Sequence, residues 1–263
     1  MNQPPPLRVA AWSGPRNIST AMMRAWENRS DCAVSDEPLY AHYLQATELD
    51  HPGRDEVIQA GRVAGSLDWR RVVEALSTGP APESRPLWYQ KHMTHHLLPG
   101  IDTGWVHTLA NVFLIRDPAL VVASYLKSRA TVVADDIGLL QQERLFDNVA
   151  QRLGHAPPVI DAERFLRDPR AQLQQLCTAL GVVFSERMLH WPAGPRASDG
   201  VWAPHWYAAV WRSTGFEAPR ERQVSLQGEA ARAADTCRPS YAALLRHAYG
   251  TSGFQASGAM PSA

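Results

Sequence analysis

The stretch that decides the fold is Leu7-Arg8-Val9-Ala10-Ala11-Trp12-Ser13-Gly14-Pro15-Arg16-Asn17-Ile18-Ser19-Thr20. It opens with a short apolar run, typical of a strand, which Ser-Gly-Pro then ends. From Ser19 to Asn28 apolar residues recur at helical spacing. A loop between a first strand and a first helix places backbone N–H groups and the positive end of the helix dipole at one edge of the sheet. The stretch therefore predicts a strand, an anion-binding loop and a helix.

Outward from this unit, apolar runs and helical patterns alternate along the chain. We predict further strands at Ala33–Ser35, Leu87–Lys91, Asn111–Ile115 and Pro158–Asp161. Helices are predicted at 118–127, 136–152, 168–180 and, as a short last one, 241–247; Asp168 can cap the third, and Gly181 can end it. Strands that alternate with helices imply a parallel sheet with helices on both faces. The predicted fold class is α/β, a three-layer α/β/α arrangement with a central parallel sheet.

The length of 263 residues suits one domain over residues 1–263. Residues 50–86 are interpreted as an excursion, with one helix near Asp68–Leu76 followed by a Gly/Pro/Ser-rich flexible loop or lid. Residues 251–263 are expected to form a flexible polar tail.

Charge and cysteine content exclude several classes of protein. The 26 basic and 26 acidic residues cancel without a dense basic stripe, which argues against nucleic acid or an anionic membrane as partner. The three cysteines are widely spaced and lack a CxxC pair, so neither a disulfide framework nor a zinc site is indicated. With no visible signal peptide and no apolar run of about 18 residues, we expect a cytoplasmic protein, monomer or homodimer, that acts on a small molecule.

The loop after the first strand has the residues of a phosphate site. Gly14, Ser19 and Thr20 suit backbone and hydroxyl hydrogen bonds to a phosphate, and Arg16 adds a permanent charge with a planar fork of donors. The alternative is an ordinary tight turn in which Ser19 or Thr20 caps the helix. The Walker form GxxxxGK[ST] is absent, which disfavours an ATP or GTP hydrolase.

Two motifs together resemble one enzyme family. Pro15-Arg16-Asn17-Ile18-Ser19-Thr20 is similar to the PKSGTT or PRSGST loop of sulfotransferases that use 3′-phosphoadenosine-5′-phosphosulfate (PAPS). Arg116-Asp117-Pro118-Ala119-Leu120-Val121-Val122-Ala123-Ser124 is similar to the RDPxxxxxS segment of that family, in which the Arg and the final Ser hold the 3′-phosphate. The resemblance implies a P-loop nucleoside-triphosphate-hydrolase-like sulfotransferase fold, with PAPS as the sulfuryl donor.

Weaker likenesses extend the resemblance to about Tyr207. Residues 161–182 resemble a scaffold strand and helix of the family, and Gly194-Pro195-Arg196 falls where sulfotransferases place a basic loop, so Arg196 inherits a 3′-phosphate role. The first motif departs from the pattern twice, because Ile18 stands where Gly is usual and Arg16 where Lys is commoner. Since Ile cannot readily adopt positive φ, Ile18 could change the loop backbone.

Two residues compete for the role of general base. Glu37 resembles the Glu at the end of the second strand in carbohydrate-type and bacterial sulfotransferases, and it is slightly preferred. His92 lies in a segment loosely similar, with a shift of one residue, to the K-x-H segment of cytosolic sulfotransferases. Lys91 could assist the leaving oxygen, and Arg16 is the expected stabiliser of its charge. No metal is expected, because His92, His95 and His96 lack the HExxH pattern.

Other interpretations stay open at this point. A P-loop-type small-molecule kinase or an inactive nucleotide-binding homologue would share the loop. Similar proteins have also been labelled branched-chain aminotransferase-like, yet no lysine has the sequence context expected for pyridoxal phosphate. The late tryptophans Trp191, Trp202, Trp206 and Trp211 either pack in the core or line an acceptor pocket.

Overall fold

A computed structural model describes residues 4–219 and 224–250. Its centre is a sheet of five parallel strands in the order β2-β3-β1-β4-β5. The strands are β1 (Leu7–Ser13), β2 (Cys32–Asp36), β3 (Leu87–Met93), β4 (Ala110–Ile115) and β5 (Val159–Asp161). In the register, Ala11 of β1 lies between Lys91 of β3 and Val112 of β4. All four further predicted strands are therefore present, and β1 is the middle strand.

Twelve α-helices lie among the described residues. They are α1 (Ser19–Glu27), α2 (Tyr40–Thr47), α3 (Arg54–Ala64), α4 (Trp69–Ser77), α5 (Pro118–Tyr125), α6 (Ala134–Ile137), α7 (Leu139–Leu153), α8 (Ala162–Arg167), α9 (Pro169–Ala179), α10 (Ala203–Trp206), α11 (Ala208–Arg212) and α12 (Gly228–Leu245). At α9, Asp168 accepts from the Ala171 N–H at 3.0 Å, as its predicted capping role requires.

The core has two layers, one on each face of the sheet. Along β1, Val9 and Ala11 pack into one apolar cluster while Ala10 and Trp12 pack into the other. This follows from the period of two of a strand, since successive side chains point to opposite faces. Helices α4, α5, α7 and α12 contribute to the Trp12 face, and α1 and α9 to the Val9 face. The predicted three-layer α/β/α fold is confirmed.

Some helix predictions differ from the structure. Residues 50–86 contain two helices, α3 and α4, where one was predicted. Gly138, at a φ of 72°, splits the predicted helix 136–152 into α6 and α7. The last helix begins at Gly228 instead of near Tyr241, and it continues through Pro239. A proline removes one helical hydrogen bond, and burial of Ala233, Ala234 and Cys237 against the core offsets that cost. The predicted tail 251–263 lies outside the described residues.

Across residues 4–219 and 224–250, no helix is both long and apolar enough to cross a membrane.

The feature that matters for function is the strand order. From β1 the chain proceeds to β2 and β3 on one side and to β4 and β5 on the other, so the order reverses between β1 and β4. Ligands of open α/β sheets bind outside the carboxyl ends of the strands at such a point.

Candidate active site

The loop after β1 is fixed to the end of β4. The Asn17 side-chain amide donates to the Leu114 carbonyl at 3.0 Å, and its oxygen accepts from the Ile18 N–H at 2.7 Å. Gly14 does not need positive φ; it needs the absence of a side chain, because an added Cβ would lie under 3.0 Å from the Ile137 carbonyl oxygen. Gly14 therefore allows the loop to pack against the Ile137 carbonyl, and its predicted bond to a phosphate stays a prediction.

Ile18 does not strain the loop. Its φ of −84° is ordinary for a residue with a β-branched side chain, and the left-handed conformation falls on Arg16 instead, at a φ of 56°. Ile18 is the N-cap residue of α1, and no side chain caps that helix. The first N–H groups of a helix have no partner inside the helix. In α1 these groups belong to Ser19, Thr20 and Ala21, and the alternative of a capping Ser or Thr is not what the structure shows.

The two sequence motifs meet at the carboxyl ends of β1 and β4. The Arg16 guanidinium donates to Ser124 Oγ at 3.0 Å, and Arg116 Nη1 donates to the Arg16 carbonyl at 2.8 Å. Ser124 lies in α5, whose start is capped by Asp117 through the Ala119 N–H at 2.7 Å. Residues 100 and 108 positions apart in sequence thus form one polar corner.

Arg116 has one acidic partner. Its Nε donates to Glu163 at 3.2 Å, and about a quarter of each side chain is exposed. Burial raises the pKa of Glu163, and the Arg116 charge opposes that rise. A guanidinium carries five N–H donors, so the two contacts to Arg16 and Glu163 leave three donors of Arg116 for a ligand.

A cleft of about 290 Å³ opens above these strand ends. The polar side of the cleft consists of the predicted residues Pro15, Arg16, Asn17, Ser19, Thr20, Arg116 and Ser124. Glu37 and Lys91 lie on its floor, and the opposite side is aromatic. Nine of the predicted site residues therefore line one cavity.

The floor holds a buried charge cluster, which we call the Asp36 cluster: Asp36, Glu37, Lys91 and Tyr207. Lys91 Nζ donates to Glu37 Oε1 at 2.6 Å, to Asp36 Oδ1 at 2.8 Å and to the Tyr207 hydroxyl at 2.5 Å. The Tyr207 hydroxyl donates to Asp36 at 2.8 to 2.9 Å. The side chains of Asp36 and Lys91 are 2% and 1% exposed, so these charges interact with little screening by water.

The local backbone brings Glu37 into the cluster. β2 ends at Asp36, and Glu37 turns the chain with a φ of 42°, held by its own N–H bond to the Lys91 carbonyl at 2.9 Å. Burial raises the pKa of Glu37, and the nearby Asp36 raises it further against the attraction of Lys91. Burial alone would lower the pKa of Lys91, but Asp36 and Glu37 raise it well above its ordinary value. The cluster thus holds a fixed ammonium beside a carboxylate of increased basicity.

His92 is not brought to the cleft. Lys91 and Met93 line the cavity, while His92, between them on β3, points to the other face of the sheet, as strand geometry requires. There its ring stacks on Trp12 with centroids 4.4 Å apart, 2% exposed, and burial lowers its pKa to about 3. In this structure His92 is a neutral core residue, and Glu37 is the predicted base that faces the cavity.

Arg196 also lies outside the residues that line the cleft. Its guanidinium donates to the Pro192 carbonyl at 3.2 Å, and its N–H donates to Asp199 at 2.8 Å. Asp199 is itself paired with the buried Arg24 at 2.5 Å. Arg196 therefore belongs to a loop anchored on α1, and its phosphate role stays a prediction.

The aromatic side of the cleft consists of residues from α2, the 94–96 turn and the 200–212 segment. His96 stacks between Tyr40 and Tyr43 at centroid distances of 4.9 and 4.6 Å, and His51 stacks on Trp206 at 5.0 Å. Burial lowers the pKa of His51 to about 4, and it lowers the pKa of His96 well below its ordinary value. These histidines are thus uncharged near neutral pH, and the charged residues Arg129 and Asp136, which also line the cleft, are paired with each other at 3.7 Å.

Sequence reasoning missed several residues of this site. Asp36 directly precedes Glu37, and its position at a strand end was the available signal. Tyr207 was given no site role, because nothing in the sequence shows its contact with Asp36. Of the four late tryptophans, Trp202 and Trp206 line the cleft and Trp191 and Trp211 do not. Within the described ranges, no group of three or more His, Cys, Asp or Glu residues is placed to hold a metal ion.

The loop after β1, the convergent arginines and the parallel sheet define an α/β protein with an anion-binding cleft at the carboxyl edge of its sheet. A family model described as "Sulfotransferase domain" matches residues 7–246, and the chain belongs to that sulfotransferase family. Its fold is similar to the sulfotransferase from Alicyclobacillus acidocaldarius (11% identity, TM-score 0.54, 93% of this chain and 96% of that one). It is also similar to the sulfotransferase domain of the Synechococcus PCC 7002 olefin synthase (20% identity, TM-score 0.51, 89% and 95%).

Two curated relatives come from Arabidopsis thaliana. They are named branched-chain-amino-acid aminotransferase-like proteins 1 and 2, and they are 37% and 34% identical to this chain over 213 residues. The match covers 81% of this chain but 37% of each relative. The chain thus spans little more than a third of the length of these relatives.

Proposed function

We propose that this protein transfers a sulfuryl group from PAPS to a hydroxyl or amine of a small-molecule acceptor. The observation that carries the proposal is the convergence of Arg16, Ser124 and Arg116 at one corner of the cleft. Two positive charges and a hydroxyl lie at the carboxyl ends of β1 and β4, where the strand order reverses. This arrangement suits the phosphates of a nucleotide.

The residues present fit a nucleotide donor. Ile18 provides no cap, so the first turn of α1 keeps N–H groups for a phosphate oxygen, and the helix dipole favours an anion there. We assign the loop Gly14–Thr20 to the 5′-phosphate side, and Arg116 and Ser124 to the 3′-phosphate, with Arg196 as a weaker contributor. When bound, PAPS supplies a sulfuryl group attached to a phosphate leaving group.

The protein groups then have distinct tasks. Glu37 takes the proton of the acceptor O–H or N–H as that atom bonds to sulfur, and such base assistance contributes roughly 10²–10⁴ in rate. Arg16 stabilises the negative charge that develops on the departing phosphate oxygen. Lys91 uses its three N–H donors within the Asp36 cluster. Lys91 therefore holds a positive charge next to Glu37 and does not donate a proton to the leaving phosphate oxygen.

We further propose that the acceptor has a flat, uncharged ring near its reactive group. The wall formed by Tyr40, Tyr43, His96 and Trp206 is aromatic, and its histidines are neutral. The Nδ1 atom of His96 is buried and has no hydrogen-bond partner in the protein, so it offers a site for one polar group. Aromatic contacts of this kind contribute about 0.5–1.5 kcal/mol beyond burial.

The aminotransferase wording of the relatives does not suit this part of the chain. The sequence holds two lysines, Lys91 and Lys127, and a pyridoxal aldimine requires an unprotonated lysine amine. Lys91 stays protonated because Asp36 and Glu37 raise its pKa. Lys127 is exposed and does not line the cleft. A Lys127→Arg variant incubated with pyridoxal phosphate should therefore show no lysine-bound absorption near 400 nm beyond that of free cofactor.

The proposal also covers the compartment, the oligomeric state and the partner of the enzyme. We propose a cytoplasmic enzyme, monomer or homodimer, with a small-molecule partner. The three cysteines are free and buried, which supports a reducing compartment.

The test is ligand-linked stabilisation followed by transfer. The unfolding temperature should rise with 3′-phosphoadenosine-5′-phosphate once its concentration exceeds the dissociation constant, and ADP with Mg²⁺ should have a smaller effect. Transfer from labelled PAPS is then measured on a panel that contrasts phenols, aliphatic alcohols, sugars and amines. Stabilisation by ADP–Mg²⁺ alone would favour a kinase. Nucleotide binding without transfer to any acceptor would favour an inactive homologue.

A further inference from the structure

The segment 200–212, which we call the C-terminal wall, is attached to the floor of the cleft through one carboxylate. Asp36 accepts from the Gly200 N–H at 3.1 Å and from the Tyr207 hydroxyl at 2.8 Å. The same carboxylate accepts from Lys91 Nζ at 2.8 Å. Asp36 thus bonds at once to the wall and to the ammonium that pairs with Glu37.

The C-terminal wall also forms part of the cavity. Trp202, Trp206, Ala209 and Val210 line the cleft, and the Tyr207 ring lies 4.8 Å from Lys91 Nζ. Trp202 packs edge-on against Tyr40 at 5.0 Å. In its docked position the C-terminal wall therefore covers the acceptor side of the cleft and also supplies Tyr207 to the Asp36 cluster.

We propose that Asp36 and Tyr207 are positioning residues that couple docking of the C-terminal wall to the placement of Lys91 beside Glu37. The role of Glu37 as base rests on the function proposed above, whereas the coupling rests on the contacts of Asp36. With the wall docked, Asp36 and Tyr207 each accept one hydrogen bond from Lys91, so the ammonium is held between them and Glu37. With the wall undocked, Lys91 loses its bond to Tyr207 and Asp36 loses both of its bonds to the wall.

Removal of the Asp36 charge should lower the pKa of Glu37. The groups that face Glu37 are Lys91 from β3, Asp36 from its own strand, Tyr207 from the wall and Tyr40 from α2. Besides burial, Asp36 raises the pKa of Glu37, whereas Lys91 and the Tyr207 hydroxyl lower it. With the Asp36 charge removed, the Lys91 ammonium attracts Glu37 without competition, and the pKa of Glu37 falls. An opposite charge at this range changes a carboxyl pKa by about 1–3 units.

The first experiment is carbon-13 NMR titration of glutamate-labelled protein without substrates, with the Glu37 signal assigned by its loss in Glu37→Gln. In Asp36→Asn the midpoint of Glu37 should fall by about one unit or more. The substitution removes one of two carboxylates beside one ammonium and keeps the shape of the side chain, and the Lys91–Glu37 pair remains. Near-ultraviolet circular dichroism establishes that the variant is folded before its titration is interpreted. An unchanged midpoint in folded Asp36→Asn overturns the proposal.

The second experiment tests the coupling with Tyr207→Phe, which removes one hydroxyl and keeps the ring. Hydrogen exchange of the peptide 200–212 should quicken at least 10-fold, and the same should hold for Asp36→Asn. The matched control is Tyr241→Phe, which breaks a Tyr–Asp bond of 2.8 Å at Asp161, away from the cleft. Equal exchange in Tyr207→Phe and the control overturns the coupling.

Activity separates this inference from the proposed function. If the unsubstituted protein transfers sulfuryl groups, Tyr207→Phe should lose roughly 10- to 100-fold in kcat/KM, as for one hydrogen bond to a charged group, and bind nucleotide within about threefold of the unsubstituted protein. If no acceptor is sulfated, the proposed function fails, while the NMR and exchange results still decide the coupling.

Discussion

Replacement of Arg116 by Ala tests the donor site most directly. Two of the five guanidinium donors contact Arg16 and Glu163, and three remain for a phosphate. Two charge-assisted bonds at about 1.5 kcal/mol each give a loss of about 3 kcal/mol. Since 1.4 kcal/mol is a factor of ten, 3′-phosphoadenosine-5′-phosphate should bind about 100-fold more weakly.

The same substitution has a smaller cost for the fold. The ion pair with Glu163 is part-exposed and contributes about 0–1 kcal/mol, and the bond to the Arg16 carbonyl adds about 1 kcal/mol. Loss of that bond also loosens the loop, so a second ligand is needed to separate the two effects. Adenosine 5′-phosphate lacks the 3′-phosphate, and its affinity should fall less than about threefold if Arg116 acts on that group.

The assay is isothermal titration calorimetry with both nucleotides at one fixed salt concentration, with Arg170→Ala as the control. Arg170 is half exposed and pairs with Glu186 on the surface. Equal losses for the two nucleotides would refute a 3′-phosphate contact, because they would assign Arg116 to loop support alone. An unchanged affinity for both would remove Arg116 from the site.

Three further predictions concern the loop, the core and the base. Gly14→Ala should destabilise the fold by about 1–3 kcal/mol, as overpacking does, because the new Cβ meets the Ile137 carbonyl; an unchanged unfolding temperature contradicts this. The pKa of His92 is lowered from 6.5 to about 3, so below pH 6.5 the unfolded chain binds a proton that the folded chain refuses, and stability falls toward pH 3. The free energy of unfolding in urea should fall between pH 7 and pH 5 by about 2 kcal/mol less in His92→Gln than in the unsubstituted protein, because glutamine cannot titrate. Equal losses in the two proteins would exclude a neutral buried His92. Glu37→Gln should lower kcat roughly 10²- to 10⁴-fold with nucleotide affinity retained, and full activity in this variant would return the role of base to another residue.

The donor half of the site could be predicted from the sequence because its residues lie in short local patterns. Arg16 follows β1 within one loop, and Arg116 and Ser124 lie at the end of β4 and in the helix after it. Parallel strands bring such segments to one edge of the sheet. Once the strands are identified, the two motifs can be placed together without any structure.

The acceptor half could not be predicted in the same way. Asp36 and Tyr207 are 171 positions apart, and their contact depends on how the chain returns after α9. His92 illustrates a different limit, since a shift of one residue along β3 moves a side chain to the other face of the sheet. Helix α12 was underestimated because Pro239 normally ends a helix, and only its packing shows why it does not.

The strand order separates the two halves of the cleft in a way that bears on how such proteins diversify. The donor corner is built from the middle of the sheet, where a change would disturb β1, β4 and both core layers. The aromatic side comes from α2, the 94–96 turn and the C-terminal wall, which lie outside β1, β4 and the loops that follow them. Under the proposed function, mutation can therefore change the acceptor side while the polar corner between β1 and β4 stays the same. One sulfuryl donor could then be combined with many different acceptors over evolutionary time.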